Sequence, residues 1–138
     1  MSKTKIHTAE EYAQQVMSGE VLVCEYVRLA VERYYHDLDI ALDRGWYFDR
    51  KAGARAINFI QKLKHTKGVW AGQRFKLEPW QQFIIWNIFG WMNADGTRRF
   101  RYAYIEISRK NGKTMLSAST GLLMLFADGE SRPEVYSA

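Results

Sequence analysis

Cysteine is almost missing from this chain of 138 residues: Cys24 stands alone, so no internal disulfide can form, and with three scattered histidines it makes no zinc cage. That usage fits a reducing cytoplasm. Long apolar runs are missing too. The longest, Leu122 to Ala127, has six residues against the about 20 that a bilayer requires, and Met1 to His7 lacks the core of a signal peptide. Membrane and secreted readings both drop. Acidic residues are absent from one whole stretch: residues 1–49 carry five basic and nine acidic side chains, residues 50–77 eight basic and none acidic.

What is present points to one ordinary folded domain or a piece of a larger protein. An aromatic content of 14% with 47% hydrophobic residues is too rich for a disordered tail. The basic stretch consists of Arg50, Lys51, Arg55, Lys62, Lys64, Lys67, Arg74 and Lys76. It could lie along a polyanion, each neutralised phosphate releasing counterions. A solvated helix face is the simpler account.

The periodicity predicts a mostly helical first half. Thr8 followed by Glu10 and Glu11 reads as an N-cap opening a short helix that Gly19 stops. A longer helix runs from Val21 to about Asp43, with Val23, Val27, Val31, Tyr34, Leu38 and Leu42 inward, Arg28 and Arg33 able to pair with Glu32 and Asp37, and Gly45 at its end. Asp49 can cap a third helix to about Lys64, with Ile57, Ile60 and Leu63 inward, before a loop at Gly68 and Gly72. Pro79 starts a fourth, with Trp80, Phe83, Ile84, Ile88 and Trp91 as its buried face, ended by the Asp95–Gly96 turn. Phe100 to Ile107 reads FRYAYIEI, which fits a strand with Ala103, Ile105 and Ile107 on one side. A polar loop, Ser108 to Gly112, then leads into a helix from Lys113 to Phe126 carrying Leu122, Leu123 and Leu125. After Gly129 and Pro133, residues 134–138 could start a second strand and no more.

The chemistry concentrates in that loop. Gly112, Lys113 and Thr114 form the end of a Walker A loop, although Ile107 stands where its first glycine belongs. Falling between a strand and a helix, the loop would turn backbone N–H groups and the helix dipole toward one polyphosphate. Lys113 would set an ammonium against the β- and γ-phosphates, and Thr114 would give its hydroxyl to Mg²⁺. Gly112 would let the backbone approach, or is a plain loop glycine. Arg109 could stabilise transition-state charge or, like Lys110, only neutralise bound nucleotide. Upstream, RFKLEPWQQF offers Gln81 as an amide able to read adenine and Phe75 or Trp80 to cover a ring, although by itself the segment reads first as structure, with Trp80 in the core.

With these segments in view, the chain resembles the tailed-bacteriophage terminase large subunit over nearly its whole length. LEPWQ at Leu77 to Gln81 is similar to that family's adenine motif. FGW at Phe89 to Trp91 and DGTRRFRYAYIEISRKNGKT at Asp95 to Thr114 are similar to its approach to the ATPase site. The non-glycine residue at the Walker position followed by a loop arginine also resembles the family. The resemblance implies an α/β P-loop NTPase fold for the parent domain, with residues 1–74 a helical N-terminal region and 75–138 the start of the ATPase domain. It implies ATP and Mg²⁺ as cofactors, held by Gln81, Ser108, Arg109, Lys110, Asn111, Gly112, Lys113 and Thr114, with Arg109 as the loop arginine. It implies a motor that packages double-stranded DNA into a prohead, working as a homo-oligomeric ring with a small terminase subunit and a portal in the cytoplasm of a bacterial host.

The family runs several times longer and adds an RNase H-type endonuclease. No Walker B strand with its acidic pair follows the loop, and the nuclease acids are absent, so a truncated piece that binds nucleotide without turning it over is expected. Glu78 and Glu106 are the rival acids, Glu106 better suited to pairing with an arginine. Two other readings remain open: a helicase-like translocase of another P-loop family, and a non-enzymatic basic DNA-binding or assembly module.

Overall fold

The computed structural model describes residues 6–65, 69 and 71–136. Among the described residues, five helices and one short two-stranded sheet pack around an apolar cluster. In chain order they are α1 (Thr8–Ser18), α2 (Glu25–Arg44), β1 (Trp46–Phe48), α3 (Arg50–Lys62), α4 (Pro79–Gly90), β2 (Trp91–Asn93) and α5 (Lys113–Phe126). Lys67 and Gly68, named above in the basic run and the loop, lie outside the described residues.

The helix boundaries follow local chemistry. Gly19 and Gly45 take left-handed conformations that close α1 and α2. The carboxylate of Asp49 accepts the Ala52 N–H at 3.0 Å and opens α3. At α1 the cap is His7 rather than Thr8. Its Nδ1 accepts the Ala9 N–H at 3.2 Å while the Glu10 carboxylate accepts the His7 N–H at 3.2 Å, so a neutral imidazole takes the role usually held by a hydroxyl. The His7 ring stacks on Trp86 with centroids 4.4 Å apart, which draws the cap one residue upstream of the threonine.

Helix α4 is the axis of the molecule. Instead of one buried face it is apolar around much of its circumference, with Phe83, Ile85, Trp86 and Phe89 buried and Trp80, Ile84 and Ile88 half-buried. It is clasped by α1 on one side and α3 on the other, and a helix covered on several sides needs no polar stripe. The α3 contact is close: a Cβ at Gly53 would lie 2.8 Å from the Trp86 ring. Tyr34 of α2 reaches the same cluster, where its hydroxyl accepts the Trp86 indole N–H at 3.3 Å. On α2 itself, Val31 and Tyr34 are buried, but Leu38 and Leu42 are exposed because the inward face passes through Asp37 and Ala41 instead.

Trp91, expected on the α4 face, is buried in β2, which pairs antiparallel with β1 in the register Trp46↔Asn93, Tyr47↔Met92 and Phe48↔Trp91. The strand expected at Phe100 to Ile107 is not formed. Residues 102–108 have no regular secondary structure, and Tyr102 and Tyr104 are 94% and 89% exposed. Strand-forming side chains hold a strand only when a neighbour supplies the ladder; among the described residues, no strand lies beside this segment. Residues 134–136 likewise form no strand. The fold is thus a small mixed assembly of helices with one two-stranded sheet.

Two ion pairs tie the segment after β2 to the rest. Asp37, expected to pair with Arg33 on the surface of α2, is buried and does meet Arg33 at 3.5 Å, but its shorter partner is Arg99 at 2.8 Å. The Arg99 guanidinium lies 3.4 Å from the Trp46 ring centroid and also faces Trp91 and Phe100. Arg98 pairs with Asp128 just beyond α5 and sits 5.4 Å from the Phe89 ring centroid.

Candidate functional site

The loop from Ser108 to Gly112 is held by its own short bonds. The Asn111 amide donates to the Ser108 hydroxyl at 2.6 Å and to the Ser108 carbonyl at 3.3 Å. Lys110 has φ 67° and Gly112 φ 75°. A non-glycine residue in the left-handed region is uncommon, and left-handed positions in a turn are the backbone form in which successive N–H groups can converge on an anion. Gly112 is the N-cap of α5, with no side-chain cap bond there. Among the described residues, no side chain caps the first N–H groups of that helix.

The loop glycine is favoured by its dihedral and sits in a tight place. A Cβ at Gly112 would come to 3.2 Å from Gln81 Nε2. The fold thus brings the two sequence-distant candidates together: the amide singled out in LEPWQ lies against the glycine of the GKT triplet. Gln81 is buried, and its Oε1 accepts the Glu78 N–H at 2.9 Å at the start of α4. A carbonyl oxygen has a second lone pair, and the Nε2 group has no acceptor among the described residues, so the amide keeps capacity for a ligand. Neighbouring Gln82 is spent on structure, donating to the Leu77 carbonyl at 3.0 Å. Trp80 is half-buried and packs against the core.

Lys113 and Thr114 line a broad open cleft of about 1730 Å³, together with Arg55 of α3, Arg98 and Arg101. Ser108, Arg109, Lys110, Asn111 and Gly112 are exposed and Gln81 is buried, and none of them lines it. Among the described residues, Arg109, Lys110 and Lys113 have no carboxylate partner. The loop and the adjoining cleft thus present cations, hydroxyls, an amide and a helix N-terminus, with Asp128 and Glu130 also on the cleft wall; the cations and the helix N-terminus suit a polyphosphate. Of the rival acids, Glu106 is exposed and accepts from the Tyr104 hydroxyl at 3.3 Å rather than from an arginine. Glu78 is exposed at the start of α4.

Sequence reasoning missed Arg55, Arg98 and Arg101 as cleft residues. Arg55 could have been found: Lys51, Arg55, Asn58 and Lys62 recur at spacings of four, three and four and form the exposed stripe of α3 opposite Ala52, Ala56, Ile57 and Ile60. Arg98 and Arg101 carried no such signal, because their place depends on how α5 returns to the end of β2. No helix of the described chain is long and apolar enough to cross a membrane.

Residues 79–138 match the family described as the terminase large subunit, ATPase domain. The resemblance seen in FGW and in the approach to GKT is thus shown over that stretch, which includes Gln81 and every loop residue named above and leaves Leu77 and Glu78 just outside. No curated protein and no solved structure matches the chain.

Proposed function

We propose that the chain carries the nucleotide-binding part of an ATP-driven motor that packages double-stranded DNA, with residues 108–114 as its phosphate loop. The supporting observation is the placement of Lys113 and Thr114 at the start of α5, on the wall of an open cleft shared with Arg55 and Arg101, with Gln81 against Gly112 nearby. The family match over the same residues gives that placement its context. On this reading the Lys113 ammonium binds the β- and γ-phosphates, the Thr114 hydroxyl holds Mg²⁺, and the α5 N–H groups orient the phosphate chain. Mg²⁺, when bound, neutralises phosphate charge. Gln81 can donate to the base through Nε2 and accept through the free lone pair of Oε1. Arg109 and Lys110, exposed beside the loop, offset charge on the triphosphate, and Arg109 is the candidate to meet charge developing in hydrolysis. Ser108 and Asn111 hold the shape of the loop. Residues 75–138 would open the ATPase domain and residues 1–74 form its helical support.

The exposed α3 stripe of Lys51, Arg55 and Lys62 supplies the DNA contact, without base-reading elements. The same stripe favours the second reading, a non-enzymatic DNA-binding or assembly module. A prohead portal, a small terminase subunit and further copies of the chain in a ring complete the proposed machinery.

The deciding experiment is calorimetric titration with ATP and Mg²⁺. Binding by the parent chain and its loss in Lys113→Ala are expected. Equal, measurable binding by both would refute the phosphate-loop reading, and salt-dependent DNA binding without nucleotide affinity would favour the module.

A further inference from the structure

Two neighbouring arginines, brought back alongside β2 by the turn at Asp95 and Gly96, reach different partners. Arg99 turns into the core to Asp37. Arg98 meets Asp128, 30 positions later, just past the end of α5. Between them the chain leaves the core, passes through the extended run and the loop, and returns along α5. The rest of that excursion is tied at few places: residues 101–104 and 108–114 are exposed, Phe100 and Ala127 pack against the core at its two ends, and α5 rests on α3 and buries Leu116, Ser119 and Leu123. The pair itself is shielded, with 27% and 17% side-chain exposure, and the Arg98 guanidinium faces the Phe89 ring of α4. Both residues line the same cleft as Lys113 and Thr114.

We infer that Arg98 and Asp128 form a positioning pair for the nucleotide loop, an ionic neck that fixes where α5 points. Joining the ends of an excursion this long removes loop-closure freedom from everything inside it. The charges are partly desolvated and one is braced by an aromatic ring, so the attraction is stronger than that of an exposed pair. With the neck closed, the C-terminal end of α5 is anchored beside α4 and its N-terminal end, bearing Lys113, is held on the cleft wall. With the neck open, α5 keeps its few apolar contacts and loses its fixed direction. The inference rests on the nucleotide reading for its functional consequence, but the neck has a physical consequence of its own.

The test compares the full chain with Asp128→Asn, which removes the charge at nearly constant shape, and Asp128→Glu, which keeps it. ATP and Mg²⁺ affinity is measured by calorimetry and opening of α5 by amide hydrogen exchange. Asp128→Asn is expected to weaken ATP about tenfold, within the usual range of coupling between distinct sites, and to speed α5 exchange. Asp128→Glu is expected to recover most of both. Unchanged affinity in Asp128→Asn alongside a binding parent overturns the positioning role while leaving the nucleotide reading intact. Equal losses in both variants overturn the ionic account. If the parent itself fails to bind ATP, the nucleotide reading falls; faster α5 exchange in Asp128→Asn then still upholds the neck, and unchanged exchange overturns it.

Discussion

Single atoms decide how closely the helices meet. Gly90 ends α4 where Phe48 of β1 crosses it, and a Cβ there would lie 2.3 Å from the ring. Phe48 also packs against Tyr34, Trp86 and Trp91, so displacing it disturbs three aromatic contacts. Gly90→Ala is expected to destabilise the fold by about 2 kcal/mol through overpacking, read as a lower urea midpoint with an unchanged slope. Gly112→Ala acts differently. It combines a φ of 75° with the approach of Gln81 in an exposed loop, so the expected result is loss of ATP affinity with a small change in urea midpoint. A large stability loss with full ATP binding would contradict the role given to that glycine.

At the scale of an element, α1 depends on a titrating cap. Burial lowers the His7 pKa below its ordinary 6.5; Glu10 opposes that shift and Arg50 adds to it. The cap needs a neutral imidazole, since Nδ1 must accept the Ala9 N–H. The unfolded chain therefore takes up the proton at higher pH than the folded one, and stability rises with pH across this window. The contribution is fully present above about 6.5 and is lost as pH falls through the lowered folded value. Thermal unfolding between pH 7.5 and 5 should show a decline that His7→Asn, which caps without titrating in this range, makes shallower. An identical slope in parent and variant would place the titration elsewhere. Helix α4 needs no comparable device, because Pro79 and the Gln81 carbonyl set its start and the surrounding core fixes the rest.

Across the whole molecule, Asp37 is the residue that joins distant parts. It connects α2 to the chain 62 positions later through Arg99, both side chains less than 10% exposed. Asp37→Ala leaves the Arg99 guanidinium buried with its aromatic neighbours and no counter-charge, and the expected loss is about 3–5 kcal/mol, measured by urea unfolding. A loss under 1 kcal/mol would mean that Arg99 finds water when its partner goes. The charge distribution has its own signature at this scale. DNA binding through the α3 stripe should be indifferent to sequence and fall steeply between 50 and 200 mM salt, and Lys51→Ala with Lys62→Ala should flatten that slope in fluorescence anisotropy. A salt-insensitive, sequence-selective complex would refute the stripe as the contact.

Much of this was determined locally. Glycine 19 and 45 stop helices because they accept φ > 0, Asp49 and Pro79 start them through short-range bonds and a fixed φ, and the GKT triplet opens α5 at Lys113. These are interactions within a few residues, so a linear string contains both partners. The family likeness of residues 79–138 was legible for a related reason: the motifs that carry it are particular residues at fixed spacing. Other features depended on partners that sequence distance hides. FRYAYIEI has the side chains of a strand but, among the described residues, no neighbour to supply a ladder. Trp46 to Phe48, too short to show a period, became a strand because Trp91 to Asn93 came alongside. Thr8 lost its capping role to His7 once Trp86 offered the imidazole a stacking surface. Asp37 read as half of a surface pair until the fold delivered Arg99 to it. Gln81 and Gly112 were separate candidates in the string, and only the packing of α5 near the start of α4 set one against the other. Caps, turns and motifs carry their partners in the chain beside them, whereas ladders, buried charges and the walls of a cleft are contributed by whatever the fold brings near.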